Sequence, residues 1–118
     1  TLSLHDALPI SEMMNDHQVY HDDHLHIDIK RRLISANGEA IKLSATEFKL
    51  LSLLMENDGR IIPYESILDQ VWGWESEGSI EYIHVYMSRL RSKLEVDPRN
   101  PRYLINERGY GYSFHKLN

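Results

Sequence analysis

The chain has 118 residues, 42% of them hydrophobic and 26% charged, a balance that suits one folded domain with a modest core and argues against global disorder. It has no cysteine, which excludes disulfides, thiolate zinc sites and cysteine nucleophiles. The formal charge of −5 is unevenly spread: residues 1–28 hold six acids and no Lys or Arg, while from Tyr82 onward seven bases face three acids. Positive potential therefore gathers in the C-terminal third, compatible with a polyanion docking at one end. No apolar run nears the roughly 18 residues needed to cross a bilayer, and the start lacks the features of a signal peptide. A cytoplasmic protein with no membrane contact is expected.

Thr1 to Ile10 can be written as ACT CTT TCC CTA CAC GAC GCT CTT CCG ATC, which resembles a short-read sequencing adapter translated in frame. Residues 1–11 are accordingly set aside as adapter-derived or a disordered tail, with 12–17 a linker remnant and 18–116 the folded domain. A first short strand is expected around Gln18–Tyr20. His24-Leu25-His26-Ile27-Asp28-Ile29 then alternates polar and apolar, the period of a half-buried strand. Arg32–Ser35 and Ala40–Leu43 are strand candidates on either side of Asn37-Gly38, a strong hairpin signal. The opening is thus a small antiparallel sheet.

Three helices follow. Ser44-Ala45-Thr46-Glu47 is a capping box, after which Phe48, Leu51, Leu54 and Met55 recur at helical spacing until Asn57-Asp58-Gly59. A second amphipathic run carries Tyr64, Ile67, Leu68, Val71 and Trp72 and ends at Gly73. The third and longest spans Ser79 to about Glu95. The tail from Arg102 to Phe114 alternates around Gly109 and Gly111 and reads as a closing hairpin. The whole is an α+β pattern.

On the third helix, Ile80, Ile83, Met87, Leu90 and Leu94 share one narrow arc, the expected core face. The rest of its circumference carries Tyr82, His84, Val85, Tyr86, Ser88, Arg89, Arg91 and Lys93, with no acid between 82 and 94. A solvated helix usually mixes both charge signs for i,i+4 support. This one mixes a single sign with tyrosines, and Val85, nearly opposite the core, can touch a thymine methyl.

Four ordered blocks carry a resemblance: Leu43-Ser44-x-Thr46-Glu47-Phe48-x-Leu50-Leu51, Gly59-Arg60-x7-Leu68-x2-Val71-Trp72-Gly73, Ser88-Arg89-Leu90-Arg91-x-Lys93-Leu94 and Gly109-x-Gly111-Tyr112-x-Phe114. Together they resemble the winged helix-turn-helix output domain of OmpR/PhoB-type response regulators over residues 18–116. Arg102-Tyr103-Leu104 and Tyr82-x3-Tyr86-Met87 look most like its potassium-sensing branch. The resemblance implies an N-terminal four-stranded sheet, three helices, a recognition helix at 79–95 in the major groove and a wing at 103–115 at the minor groove. It implies that Arg89 reads bases, Arg91 grips phosphate and Arg108, beside Tyr110 at the wing tip, reaches the minor groove. It also implies promoter DNA as partner, two copies on tandem half-sites, and a sensor histidine kinase acting on a receiver domain for which this chain has no room. Trp74, Glu75 and Glu77 fall in the loop that touches RNA polymerase in this family. Tyr86, Glu81 and Pro63 depart from residues common there, so base preference does not transfer.

No Gly-rich phosphate loop, nucleophile–His–acid constellation or paired carboxylates appear, so neither an enzyme nor a cofactor is expected. Two rivals remain: a winged helix that binds only protein, and a metal site built from His17, His21, His24 and His26 with Asp22 or Asp23. In that site His24 and His26 would share a strand face.

Overall fold

The computed structural model describes residues 18–57, 59–73 and 79–117. The adapter-like segment, the linker remnant with His17, and Trp74, Glu75 and Glu77 lie outside them.

Strands β1 (Val19–His21), β2 (Leu25–Asp28), β3 (Leu33–Ala36) and β4 (Glu39–Ala40) form an antiparallel meander in that order. Alternation puts Tyr20, Leu25, Ile27, Ile34 and Ala36 on the buried face and Val19, His21, His26 and Leu33 on the outer one. Asn37 and Gly38 both have positive φ (54° and 79°), as the two-residue turn between Ala36 and Glu39 requires. The fourth strand is shorter than its alternation predicts. After the Ile41 amide bonds to the Ile34 carbonyl (2.8 Å), the chain leaves the sheet to reach the helix cap at Ser44.

Helix α1 (Ala45–Glu56) starts on the capping box: Ser44 Oγ accepts the Glu47 amide (3.2 Å) and Glu47 Oε1 accepts the Ser44 amide (2.8 Å). Leu50, Leu51, Leu54 and Met55 are fully buried, and Asn57 Nδ2 donates to the Leu53 carbonyl at the far end (2.7 Å). Next comes a two-residue strand absent from the sequence reading, β5 (Ile62–Pro63). Helix α2 (Tyr64–Ile67) runs on into wider π-helical turns over Leu68–Trp72 and stops at Gly73, φ 80°. Helix α3 (Ile80–Leu94) and the hairpin β6 (Leu104–Glu107) and β7 (Gly111–Phe114) complete the fold.

The second sheet has the order β5-β7-β6. Gly111 makes it possible: a Cβ there would sit 1.9 Å from the Ile62 carbonyl oxygen, so only glycine lets β5 pair with the hairpin. The core lies between the inner face of the first sheet, the three helices and the hairpin.

Asp22 ties the two ends of the chain together. Its carboxylate accepts from the Tyr20 and Tyr103 hydroxyls (2.6 and 2.7 Å) and from the His24 and Leu25 amides (both 2.7 Å). Burial alone would raise its pKa, but these four donors hold it at about 2. Burial and the same carboxylate push the Tyr20 hydroxyl up to about 12 and raise that of Tyr103 as well. Around them Tyr20, Tyr103 and Phe114 pack with ring centroids 5.4–6.1 Å apart. The result is a winged helix-turn-helix of the α+β class.

Candidate nucleic-acid interface

Helix α3 is held at both ends. Ser79 is its N-cap, with the Tyr82 amide bonded to the Ser79 carbonyl (3.0 Å). At the other end Glu95 is buried, and its carboxylate accepts the backbone amides of Arg102 (2.7 Å), Tyr103 (3.0 Å) and Leu104 (2.8 Å). That clamp fixes where β6 begins relative to the helix. It has no periodic signature, and the sequence reading missed it.

Ile83, Met87, Leu90 and Leu94 are completely buried, as their arc predicts. Ile80 is not: it is 42% exposed. Opposite the core runs a stripe of exposed side chains, Glu81, Tyr82, Val85, Ser88, Arg89 and Ser92. Tyr82 and Val85 keep 50% and 47% of their surface in solvent, a burial pattern that contributes little to folding.

Between stripe and core lie two flanks, and they hold the four candidate residues that the structure occupies internally. On one flank, Arg91 donates from Nε (3.1 Å) and Nη2 (2.8 Å) to the Leu104 carbonyl and lies over the Tyr112 ring at 5.5 Å. About two turns away, His84 Nδ1 and the Tyr112 hydroxyl share a hydrogen bond of 2.6 Å. Burial raises the pKa of that hydroxyl. These two residues bolt the hairpin to the helix. Expected as a phosphate grip, Arg91 sets its Nε and Nη2 on the Leu104 carbonyl, because its direction on the helix faces β6, and it remains partly exposed.

On the other flank Lys93 Nζ donates to Glu47 Oε1 (2.6 Å) and to the Lys42 carbonyl (3.0 Å). Burial would raise the pKa of Glu47, but the ammonium and the Ser44 amide hold it below the usual range. Lys93 therefore anchors α3 to the α1 cap, with its side chain still 36% exposed. Tyr86 is half-buried against Trp72 (centroids 5.5 Å apart), and the Arg89 guanidinium stacks on its outer side at 4.8 Å. Trp72 also touches Tyr82, 6.4 Å between centroids. Tyr86, expected on base edges, forms a platform that orients Arg89 (cation–π contacts of this kind contribute about 0.5–1 kcal/mol at exposed sites).

The hairpin tip presents Arg108, Gly109 and Tyr110, all exposed, Tyr110 by 56%. Gly109 has φ 79°, and the Tyr110 amide closes the turn on the Glu107 carbonyl (2.9 Å). Tyr64 braces the tip from behind: its amide donates to the Tyr110 carbonyl (3.0 Å) and its hydroxyl to Asn106 Oδ1 (2.7 Å). An arginine-bearing helix stripe and a basic hairpin tip are thus parts of one braced unit.

The family of transcriptional regulatory protein C-terminal domains matches residues 38–114. The chain belongs to it. It is an OmpR/PhoB-type winged-helix output domain, a family of transcriptional regulators and not of enzymes. The sensory transduction protein RegX3 of Mycobacterium leprae is 44% identical over 88 residues, covering 75% of this chain and 44% of that protein. KdpE of Escherichia coli, the KDP operon transcriptional regulatory protein, is 40% identical over 88 residues, covering 75% and 39%. Identity therefore does not single out the potassium-sensing branch. The chain spans less than half the length of these curated relatives. Among solved structures, the response regulator DrrB of Thermotoga maritima aligns with TM-score 0.73 at 32% identity, covering 82% of this chain and 44% of that one. The DNA-binding domain of Klebsiella pneumoniae RstA, solved in complex with the RstA box, aligns with TM-score 0.69 at 30% identity, covering 83% and 97%.

The histidines do not sit as the spacing suggested. His24 lies in the turn after β1 with Nε2 2.8 Å from the Leu94 carbonyl oxygen, while His26 pairs across the sheet with His21. Among the described residues no group of three or more His, Cys, Asp or Glu could hold a metal ion, and no helix is long and apolar enough to cross a membrane.

Proposed function

We propose that this domain binds double-stranded promoter DNA sequence-specifically, as the effector part of a two-component response regulator, with α3 in the major groove and the hairpin tip at the minor groove. The exposed stripe of α3, with Arg89 held on Tyr86, is the observation that carries this reading. A major groove about 12 Å wide admits a helix, and Arg89 suits the paired acceptors of guanine while Val85 suits a thymine methyl. Tyr82 and Ser88 supply hydroxyls to bases or phosphates. Arg108, with Tyr110 beside it, suits a narrow and strongly negative minor groove. His84, Arg91, Tyr86 and Lys93 act indirectly, by fixing the angle between helix and wing and the pose of Arg89. The RstA complex with its box supports the reading for a domain of the same fold.

The further roles follow from family membership. The domain works in the cytoplasm, two copies occupy tandem half-sites, the loop with Trp74, Glu75 and Glu77 meets RNA polymerase, and a sensor histidine kinase acts on a receiver domain. The folded unit spans 18–116, and the adapter origin of residues 1–11 is tested on the source nucleotides.

Selection of bound sites from a random duplex pool, followed by mobility shift across a salt series, tests the function. A recovered direct-repeat motif and affinity that falls steeply with salt are expected. Failure to retain any duplex at low salt overturns the proposal.

A further inference from the structure

The outer face of the first sheet carries a histidine pair that DNA binding does not use. His21 on β1 and His26 on β2 are register partners, and both are exposed. Hydrogen bonds from the Asp22 amide to the Leu25 carbonyl and from the Ile29 amide to the Gln18 carbonyl, both 2.8 Å, set the ladder's phase. Counting along the alternating antiparallel pattern from either one makes His21 and His26 a non-hydrogen-bonded pair. In such pairs the Cα atoms are about 4.5 Å apart and the side chains approach most closely. The two rings lie nearly parallel, with centroids 5.8 Å apart and 25° between their planes.

We propose that His21 and His26 together chelate one divalent transition-metal ion of the copper, nickel or zinc class, with water in the remaining positions. Metal–imidazole bonds are about 2.0–2.1 Å, and two rings projecting side by side from a non-hydrogen-bonded register pair on one sheet face can each direct a nitrogen to a common ion. Imidazole ligands favour these ions over magnesium and calcium, which take oxygen. The local charge helps, since residues 18–28 hold Asp22, Asp23 and Asp28 and neither Lys nor Arg. Asp22 spends its carboxylate on the two tyrosines and two amides, and Asp28 pairs with Arg31 at 3.9 Å. The two imidazoles are the protein ligands of the proposed site, and the stability order of divalent ions ranks copper above nickel and zinc.

Isothermal titration of the full 118-residue chain with Cu²⁺, Ni²⁺ and Zn²⁺, with electron paramagnetic resonance of the copper form, tests this. One ion per chain, copper bound tightest, and a two-nitrogen equatorial signature are expected. His21→Gln and His26→Gln should each weaken copper binding by about tenfold or more, since each removes half the chelate. His115→Gln, on an exposed histidine just after β7, should leave it unchanged. Circular dichroism confirms folding, and either variant alone decides the matter. Absence of stoichiometric binding overturns the proposal, as does binding that survives both single changes. Loss of binding on changing His5 and His17 to Gln, with His21 and His26 intact, overturns it too.

Discussion

The outward stripe of α3 and its two flanks are built from the same residue types, yet they do different work. Arg89 and Arg91 stand two positions apart, which turns one about 200° from the other around the helix. One lies exposed over Tyr86; the other gives two donors to the Leu104 carbonyl. Lys93 is likewise drawn under the α1 cap. A basic helix face thus divides by angle into groups left in solvent and groups that hold the platform still, and composition alone cannot tell them apart.

Mutations on the two sides should separate in what they change. Lys93→Ala leaves the buried Glu47 carboxylate without its counter-ion. We expect a loss of about 2–3 kcal/mol in denaturant-measured stability, with the DNA sequence preference of the folded fraction intact. Arg89→Ala should do the reverse, costing about 1–3 kcal/mol on the selected site while shifting stability by less than about 0.5 kcal/mol. Competition between selected and random duplexes reads the difference.

Arg91→Ala sharpens the contrast most. A phosphate contact would lower the slope of log affinity against log salt by about one. As a strut to the wing, Arg91 should leave that slope nearly unchanged while its loss costs about 1–2 kcal/mol of stability. Arg108→Ala should lower the slope without touching stability.

Acid acts on the flank through Glu47. Glu47 titrates below its ordinary value of 4.5, so its contribution to stability is complete above that pH and is lost as pH falls below it. Unfolding followed from about pH 5 downward should therefore fall less steeply in Glu47→Gln than in the parent. Val85→Ala should give the smallest effect, under about 1 kcal/mol, confined to sites with a thymine in the motif.

Much of the scaffold was legible because its signals are local. The Ser44–Glu47 box, the Asn37-Gly38 turn and the 83–87–90–94 arc each lie within a few residues, where backbone geometry sets the outcome. Ile80 fits the arc but not the burial, since periodicity sets a direction and only the fold supplies something to pack against. β5 was invisible: two residues carry no period, and its strand exists only because Gly111 admits the Ile62 backbone. Asp22 appeared only as a possible metal ligand and Glu95 only as the end of the third helix, and only the fold brings amides and tyrosine hydroxyls to them.

By itself, the sequence determined which segments are helix, strand and turn, which side of each faces inward, and the family to which the pattern belongs. The tertiary structure alone decided which cations remain available for a ligand. The reason is distance along the chain: Arg91 meets a carbonyl 13 residues on, and Lys93 one 51 residues back. A charged side chain is committed or exposed according to what folding carries next to it.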